Sequence, residues 1–397
     1  MFYIFNEIKK RYIFDSVLEA SDSQQKAITA IRNLVDFSIS HHISGNLWKK
    51  YILYTLIYNE NAYTLSIELN QETKGDINLA KMDIETYFML YQKEYDFLME
   101  TKYFMFERKE KSYIALLIDS LYEKIEANLT FDNFYHTIIN FYKTNGLADM
   151  AVYHAFRVDN GILKPIKNVL QITFDDIIGY DYQKKMLREN TEYFLGNKPY
   201  NNVLLYGDAG TGKSSSIKAL INEYFDKGLR IIEVYKHQMQ EISKIVHTLK
   251  KRPYHYIIYM DDLSFEEDEI EYKYLKSVIE GGIEPKPENV AIYATSNRRH
   301  LIKETTQDNG NVFDDLHRNE TQAEKLSLSY RFGLQLFYSS LTPEEFKKMV
   351  IEMAKKNHIS YDLDKLVKEA YAWQMRNGTL SGRCAEQFIK YISSKEK

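Results

Sequence analysis

The chain has 397 residues, 44% of them apolar and 27% charged, with a net charge of −4, an ordinary globular composition with length for roughly two or three domains. Residues 1–150 carry 16 Lys+Arg against 21 Asp+Glu and the remainder a balance of +1, so neither part has the bulk positive charge of a protein held to nucleic acid by electrostatics. One cysteine, Cys384, excludes an intrachain disulfide framework, and no run reaches the ~20 apolar residues needed to span a bilayer.

The N-terminus, Met1-Phe2-Tyr3-Ile4-Phe5-Asn6-Glu7, lacks the charged leader and unbroken apolar run of a secretory signal. The expectation is a cytoplasmic protein without a membrane segment.

Residues 1–150 read as a mainly α-helical domain. Apolar residues recur at helical spacing over Ser23–His41, Leu47–Tyr58, Leu79–Tyr103, Ala115–Ala127 and Phe131–Tyr142, the last led by Thr130 as N-cap. Its aromatics (Trp48, Tyr51, Tyr54, Tyr58, Tyr87, Phe88, Tyr91) fall on the same period and are expected in a core rather than as a platform for bases. Across 151–172 the pattern becomes a hairpin, Ala151–Val158 and Ile162–Ile166 around Asp159-Asn160-Gly161, expected as a linker, as a hinge or as the last layer of the N-terminal region. A helix running through Phe194 follows. From 173 to 340, the apolar runs Val203–Tyr206, Arg230–Val234, Tyr256–Met260, Val290–Ala294 and Leu334–Phe337 alternate with helices, which predicts a parallel sheet covered on both faces. Thr342-Pro343 opens a set of three helices over 341–397.

The strongest chemical signal is Gly207-Asp208-Ala209-Gly210-Thr211-Gly212-Lys213-Ser214-Ser215, which fits G-x-x-x-x-G-K-[ST] between a strand and a helix. The glycines let successive backbone N–H groups converge on one phosphate chain, and the helix start adds unpaired N–H groups and its dipole. Lys213 supplies an ammonium for the outer phosphates, and the Ser214 hydroxyl is a magnesium ligand of the right kind. Downstream, a strand expected beside the phosphate loop ends in Asp261, suited to the metal, and Asp262, suited to orienting or deprotonating water. The next strand runs into Thr295-Ser296-Asn297, whose amide could hold that water or the outer phosphate. Arg331, between apolar neighbours, suits charge on a transferring phosphoryl group, and Arg383 opens the last helix. Arg298, Arg299 and His300 are candidate interface residues.

Taken in order, residues from about 170 to 397 resemble an AAA+ ATPase module of the P-loop NTPase fold: a parallel α/β core with a C-terminal helical lid. The resemblance implies that Gly207–Ser214 is the Walker A loop, Tyr256–Asp262 the Walker B strand, Asn297 sensor 1, Arg331 the arginine finger and Arg383 sensor 2. Ile178-Gly179-Tyr180 resembles the segment that packs on adenine. The phrases Asn202–Asp208, Asp261–Glu266, Tyr293–Leu301 and Glu324–Gly333 are similar to a bacterial AAA+ family known as domain of unknown function 815. ATP and Mg2+ as ligands, and a homo-oligomer whose subunits complete each other's sites, follow as implications. Two departures stand out. Walker B strands of this superfamily usually end Asp-Glu, where this one ends Asp261-Asp262, leaving Glu266 as another candidate base. Tyr330 stands where an aspartate usually precedes the finger arginine.

Three functions remain open at this level. One is an ATPase that remodels or loads a macromolecular partner; a second is a nucleotide-gated switch whose N-terminal helices bind a client protein. The third is a nucleic-acid-remodelling ATPase akin to helicase loaders, which the charge does not indicate.

Overall fold

The computed structural model describes residues 2–69, 71, 77–103, 111–250, 252–266, 269–280, 286–299, 301, 328–359 and 362–395. His300 and residues 324–327 of the family-like phrase lie outside them. The chain divides into two compact units, Met1–Tyr153 with Lys251–Pro253, and His154–Lys250 with Tyr254–Lys397.

The first unit is helical: α1 (Arg11–Leu18), α2 (Gln24–His41), α3 (Leu47–Ile57), α4 (Ala62–Glu68), α5 (Ile77–Gln92), α6 (Tyr113–Glu126), α7 (Phe131–Asn145) and α8 (Ala148–Val152). The side chains of Ser23, Asn46 and Thr130 cap α2, α3 and α7 by accepting from backbone N–H groups of the first turn. The centre is α3, buried along almost its whole length. Trp48, Tyr51, Phe37, Tyr87, Tyr91 and Phe134 pack in one cluster, so the periodic aromatics are core, as their spacing requires.

One expected helix is broken. The Leu79–Tyr103 pattern divides into α5, ending at Gln92, and a 3₁₀ turn over Asp96–Tyr103. The indole N–H of Trp48 donates to the Leu90 carbonyl at 2.8 Å, the acceptor that the Glu94 N–H would need to continue the helix.

The second unit is built on a seven-stranded sheet: β1 (Ala155–Asp159), β2 (Ile162–Pro165), β3 (Val203–Gly207), β4 (Leu229–Glu233), β5 (His255–Met260), β6 (Val290–Ser296) and β7 (Leu334–Tyr338). The spatial order is β2-β1-β4-β5-β6-β3-β7, parallel throughout except for β1 with β2. Every residue of β6 is buried and β5 is buried from Tyr256 on, as expected of strands covered on both faces. Helices α9 (Asp181–Leu195), α10 (Lys213–Tyr224), α11 (Ile242–Leu249) and α12 (Glu271–Glu280) connect them.

The hairpin differs from expectation. Its turn is as read, with Asn160 (φ 51°) and Gly161 (φ 71°) between the paired Asp159 and Ile162. Its first strand, however, begins at Ala155 rather than Ala151, because Ala148–Val152 is helical. It is also no linker: Ala155–Arg157 pair in parallel with Ile231–Glu233, so the hairpin extends the sheet.

Three helices complete the unit: α13 (Pro343–Lys356), α14 (Leu363–Asn377) and α15 (Gly382–Lys395). Thr342 and Glu345 form a capping box around Pro343 at the start of α13. These helices share a separate apolar cluster of Phe346, Val350, Leu366, Ala385, Phe388 and Ile392, against which Ile178 and Tyr180 pack. Among the described residues no helix is long and apolar enough to cross a membrane.

Candidate functional site

The phosphate loop connects β3 to α10, and sterics fix its path. Gly207 has φ 133°, and a Cβ there would lie 2.0 Å from the Tyr338 carbonyl oxygen of neighbouring β7. Only glycine fits that approach. Gly212, at φ 94°, is the N-cap residue of α10. The Ser216 N–H returns to the Gly212 carbonyl (2.9 Å), so the N–H groups of Lys213, Ser214 and Ser215 precede the helical ladder.

Lys213 is only 6% exposed. Its ammonium donates to the carbonyls of Gly207 (2.7 Å) and Asp208 (2.6 Å) and to Asn297 Oδ1 (3.1 Å). Burial holds it below the usual lysine range, against the opposing pull of Asp208, Asp262 and Asp261.

Here the strand order corrects the sequence reading. The strand carrying Asp261 and Asp262 does not lie beside the phosphate-loop strand; β6 separates β5 from β3. Thr295 of β6 bridges the gap. Its hydroxyl donates to Asp261 Oδ1 (2.7 Å) and accepts the Asp262 N–H (2.9 Å). Ser214 Oγ donates to the same Asp261 oxygen at 2.6 Å. Burial pushes the Asp261 carboxyl up, but the hydrogen bonds from Ser214 and Thr295 help to outweigh it, and the net position is below the ordinary carboxylate range. Asp262 is left-handed (φ 50°), and its Oδ1 accepts from Asn297 Nδ2 at 2.7 Å. Asn297 therefore holds Lys213 with its carbonyl and Asp262 with its amide.

These groups share a cavity of about 440 Å³ lined by Ala209–Ser215, Asp261, Asp262, Thr295 and Asn297 on the sheet side. Asp176, Ile177 and Ile178 line it from the segment before α9, Met349 and Met353 from α13, and Gly382, Arg383 and Glu386 from α15. Of the expected residues, Ile178 and Arg383 thus meet the phosphate loop. Gly207, Asp208, Gly179 and Tyr180 do not line the cavity. Tyr180 instead donates its hydroxyl to the Ser339 carbonyl (2.7 Å) and packs on Tyr338, 4.8 Å between ring centres. Arg331 also lies off the cavity, its guanidinium Nε donating to Glu280 Oε1 at 2.7 Å. Glu266 does not line it either; its N–H donates to Glu269.

Sequence reasoning missed Thr295, Glu386, Met349, Met353 and Asp176. Two carried a usable signal. Thr295 lies two residues before Asn297, at the tip of the same strand, and Glu386 lies three after Arg383 on one helical face. Met349 and Met353 are spaced i,i+4 on α13, which marks a shared face but not its neighbour.

A parallel sheet with the phosphate loop at one strand end, acid-bearing and amide-bearing tips beside it, and a C-terminal helical layer lining the same cavity define a P-loop α/β protein. Within that class the chain belongs to the family described as "Protein of unknown function (DUF815)", whose model matches residues 149–396. A search of curated proteins returned no match. Among solved structures, two point-mutant forms of Thermotoga maritima RuvB match at 16% and 18% identity with TM-scores of 0.38 and 0.37. Each alignment covers 55% of this chain and 63% or 64% of RuvB, so the chain spans less than two thirds of those proteins. The Thermotoga maritima RuvB Holliday junction branch migration motor matches at 15% identity and TM-score 0.33, over 55% of this chain and 71% of its own.

Proposed function

We propose that this protein binds ATP with Mg2+ and hydrolyses it, using the cycle to remodel or load a macromolecular partner. The observation that carries the reading is one cavity in which the phosphate loop, the Lys213 ammonium, the Ser214–Asp261 pair and the Asn297–Asp262 pair converge. A hydroxyl beside a carboxylate is the hard-oxygen donor set that Mg2+ takes, so Ser214 and Asp261 are the residues to hold it. Bound there, the ion would neutralise charge on the outer phosphates. The N–H groups of 213–215 and the Lys213 ammonium bind the phosphate chain, Ile178, Met349 and Met353 give the base an apolar slot, and Arg383 adds a cation from α15. Asp262 orients the attacking water and accepts its proton; Asn297 fixes the Asp262 carboxylate. Arg331, outside its own cavity, acts as the finger in a neighbouring copy, which makes a homo-oligomer the working form.

A second reading, a nucleotide-gated switch with little turnover that engages a client protein through the N-terminal helices, is favoured by one observation. Asp262 is the shorter carboxylate and is already held by Asn297 at 2.7 Å.

Phosphate release with Mg2+-ATP tests both readings, with Lys213→Ala as control. Release from the wild-type chain that falls at least about tenfold in the variant, the scale of one lost charge-assisted contact, supports the ATPase. ATP binding lost in Lys213→Ala without wild-type release supports the switch, and no binding by either chain removes both. Turnover stimulated by DNA or RNA would favour the nucleic-acid-remodelling alternative.

A further inference from the structure

Asp208 is the residue of the phosphate loop whose side chain turns away from the cavity. Its carboxylate Oδ2 accepts from the Ser340 N–H (2.9 Å) and the Ser340 hydroxyl (2.5 Å). Its own N–H donates to the Tyr338 carbonyl (3.1 Å), and its carbonyl accepts the Lys213 ammonium (2.6 Å). Ser340 lies in the connection from β7 to α13, two residues before the Thr342 cap. The next residue, Leu341, donates its N–H to the Leu380 carbonyl at 3.1 Å, tying that connection to the loop that enters α15. At that second point the Arg383 N–H donates to the Gly210 carbonyl of the phosphate loop at 3.2 Å. The connection that enters α13 and the loop that enters α15 are therefore each fastened to the phosphate loop.

Lys213 cannot serve outer phosphates while its ammonium is spent on the carbonyls of Gly207 and Asp208. A phosphate chain in the loop draws it off. That withdrawal removes a cation from the Asp208 carbonyl and sets an anion beside a residue whose carboxylate holds Ser340. Repulsion between like charges then acts on the Asp208–Ser340 contact. We propose that Asp208 is a positioning residue that couples phosphate-loop occupancy to the three C-terminal helices: its carbonyl senses Lys213 and its carboxylate grips Ser340. The coupling rests on the nucleotide reading above, and goes beyond it in assigning the conformational transmission to one residue outside the cavity lining.

Amide hydrogen exchange resolved at Ser340, Leu341 and 380–383, with and without Mg2+-ATP, tests this in the full chain. In the wild-type protein ATP changes exchange at all three. Ser340→Ala, outside the cavity lining, keeps ATP binding and reduces the ATP-dependent change at Leu341 and 380–383 by about threefold or more, the low end of one lost hydrogen bond, because the backbone N–H at 340 still reaches Asp208. Asp208→Ala removes the change, and Asp208→Asn, which keeps an acceptor for both Ser340 donors, restores part of it. A full ATP-dependent change surviving in both Ser340→Ala and Asp208→Ala overturns the coupling while leaving ATP binding intact. Absence of any ATP-dependent change in a wild-type chain that binds ATP also overturns it. No ATP binding by the wild-type chain overturns the nucleotide reading itself.

Discussion

Thr295→Val isolates the bridge between β6 and β5. The Thr295 hydroxyl is the link that lets a carboxylate two strands from the phosphate loop sit against Ser214. It donates to Asp261 Oδ1 at 2.7 Å and accepts the Asp262 N–H at 2.9 Å, and the residue is 1% exposed. Valine keeps the shape and removes both bonds. A hydrogen bond to a charged group contributes ~1.5 kcal/mol at the low end, suited to a carboxylate that still reaches solvent, and an orphaned N–H costs ~1 kcal/mol. The expected loss is about 2 kcal/mol of unfolding free energy at pH 7, read from urea denaturation at constant m-value. The pH dependence has a defined sign. The folded-state pKa of Asp261 is depressed, so its contribution is fully present above the unfolded value and is lost as pH falls through the folded one. The wild-type and Thr295→Val stabilities should therefore differ by a constant amount above about pH 5, and the difference should narrow as pH falls below about 4, toward the ~1 kcal/mol left by the orphaned Asp262 N–H. In an Asp261→Asn background the same substitution should cost less by at least about 0.5 kcal/mol. Equal costs in both backgrounds, or a loss under about 0.5 kcal/mol at pH 7, would refute the bridge.

Two further substitutions address the loop and the finger. Gly207→Ala places a Cβ 2.0 Å from the Tyr338 carbonyl oxygen and should cost more than ~3 kcal/mol or prevent folding, whereas Gly179→Ala, with nothing within 4 Å of its Cβ but φ at 80°, should cost only ~1 kcal/mol; thermal melts of the two check the contrast. Arg331→Ala should lose phosphate release while retaining ATP binding, and mixing it with Lys213→Ala subunits should restore release if Arg331 serves a neighbour's cavity. Absence of rescue would confine it to the Glu280 pair seen within the chain.

The phosphate loop was legible because its demands are local: close backbone approach at Gly207, a left-handed N-cap at Gly212, a cation and a hydroxyl at the helix start. The strands were legible as apolar runs, but their order was not. Strands buried on both faces carry no mark of which neighbour they pair with, so Tyr256–Met260 could not be told from Val290–Ala294 as the partner of β3. The Asn160-Gly161 turn announced a hairpin, yet nothing local indicated that Ala155–Arg157 would join β4 in parallel. Residues contributed by distant helices, such as Met349 and Glu386, enter the site only through tertiary packing. The break after Gln92 coincides with a bond from Trp48, more than forty residues away, to the Leu90 carbonyl, a contact that local sequence does not signal.

The departure at Asp262 has a backbone reason. The residue sits at φ 50°, at the tip of β5, where a short polar side chain tolerates the left-handed region better than a longer one. The shorter acid is thus matched to the turn that aims it at Asn297, not simply a truncated glutamate. Asn297 also accepts the Lys213 ammonium, and Lys213 also rests on the Asp208 carbonyl. One cation is therefore bonded, at one remove, to both the Asp262 carboxylate and the Ser340 contact. A ligand that draws Lys213 outward acts on both together, so the setting of Asp262 and the state of the C-terminal helices should change as one event.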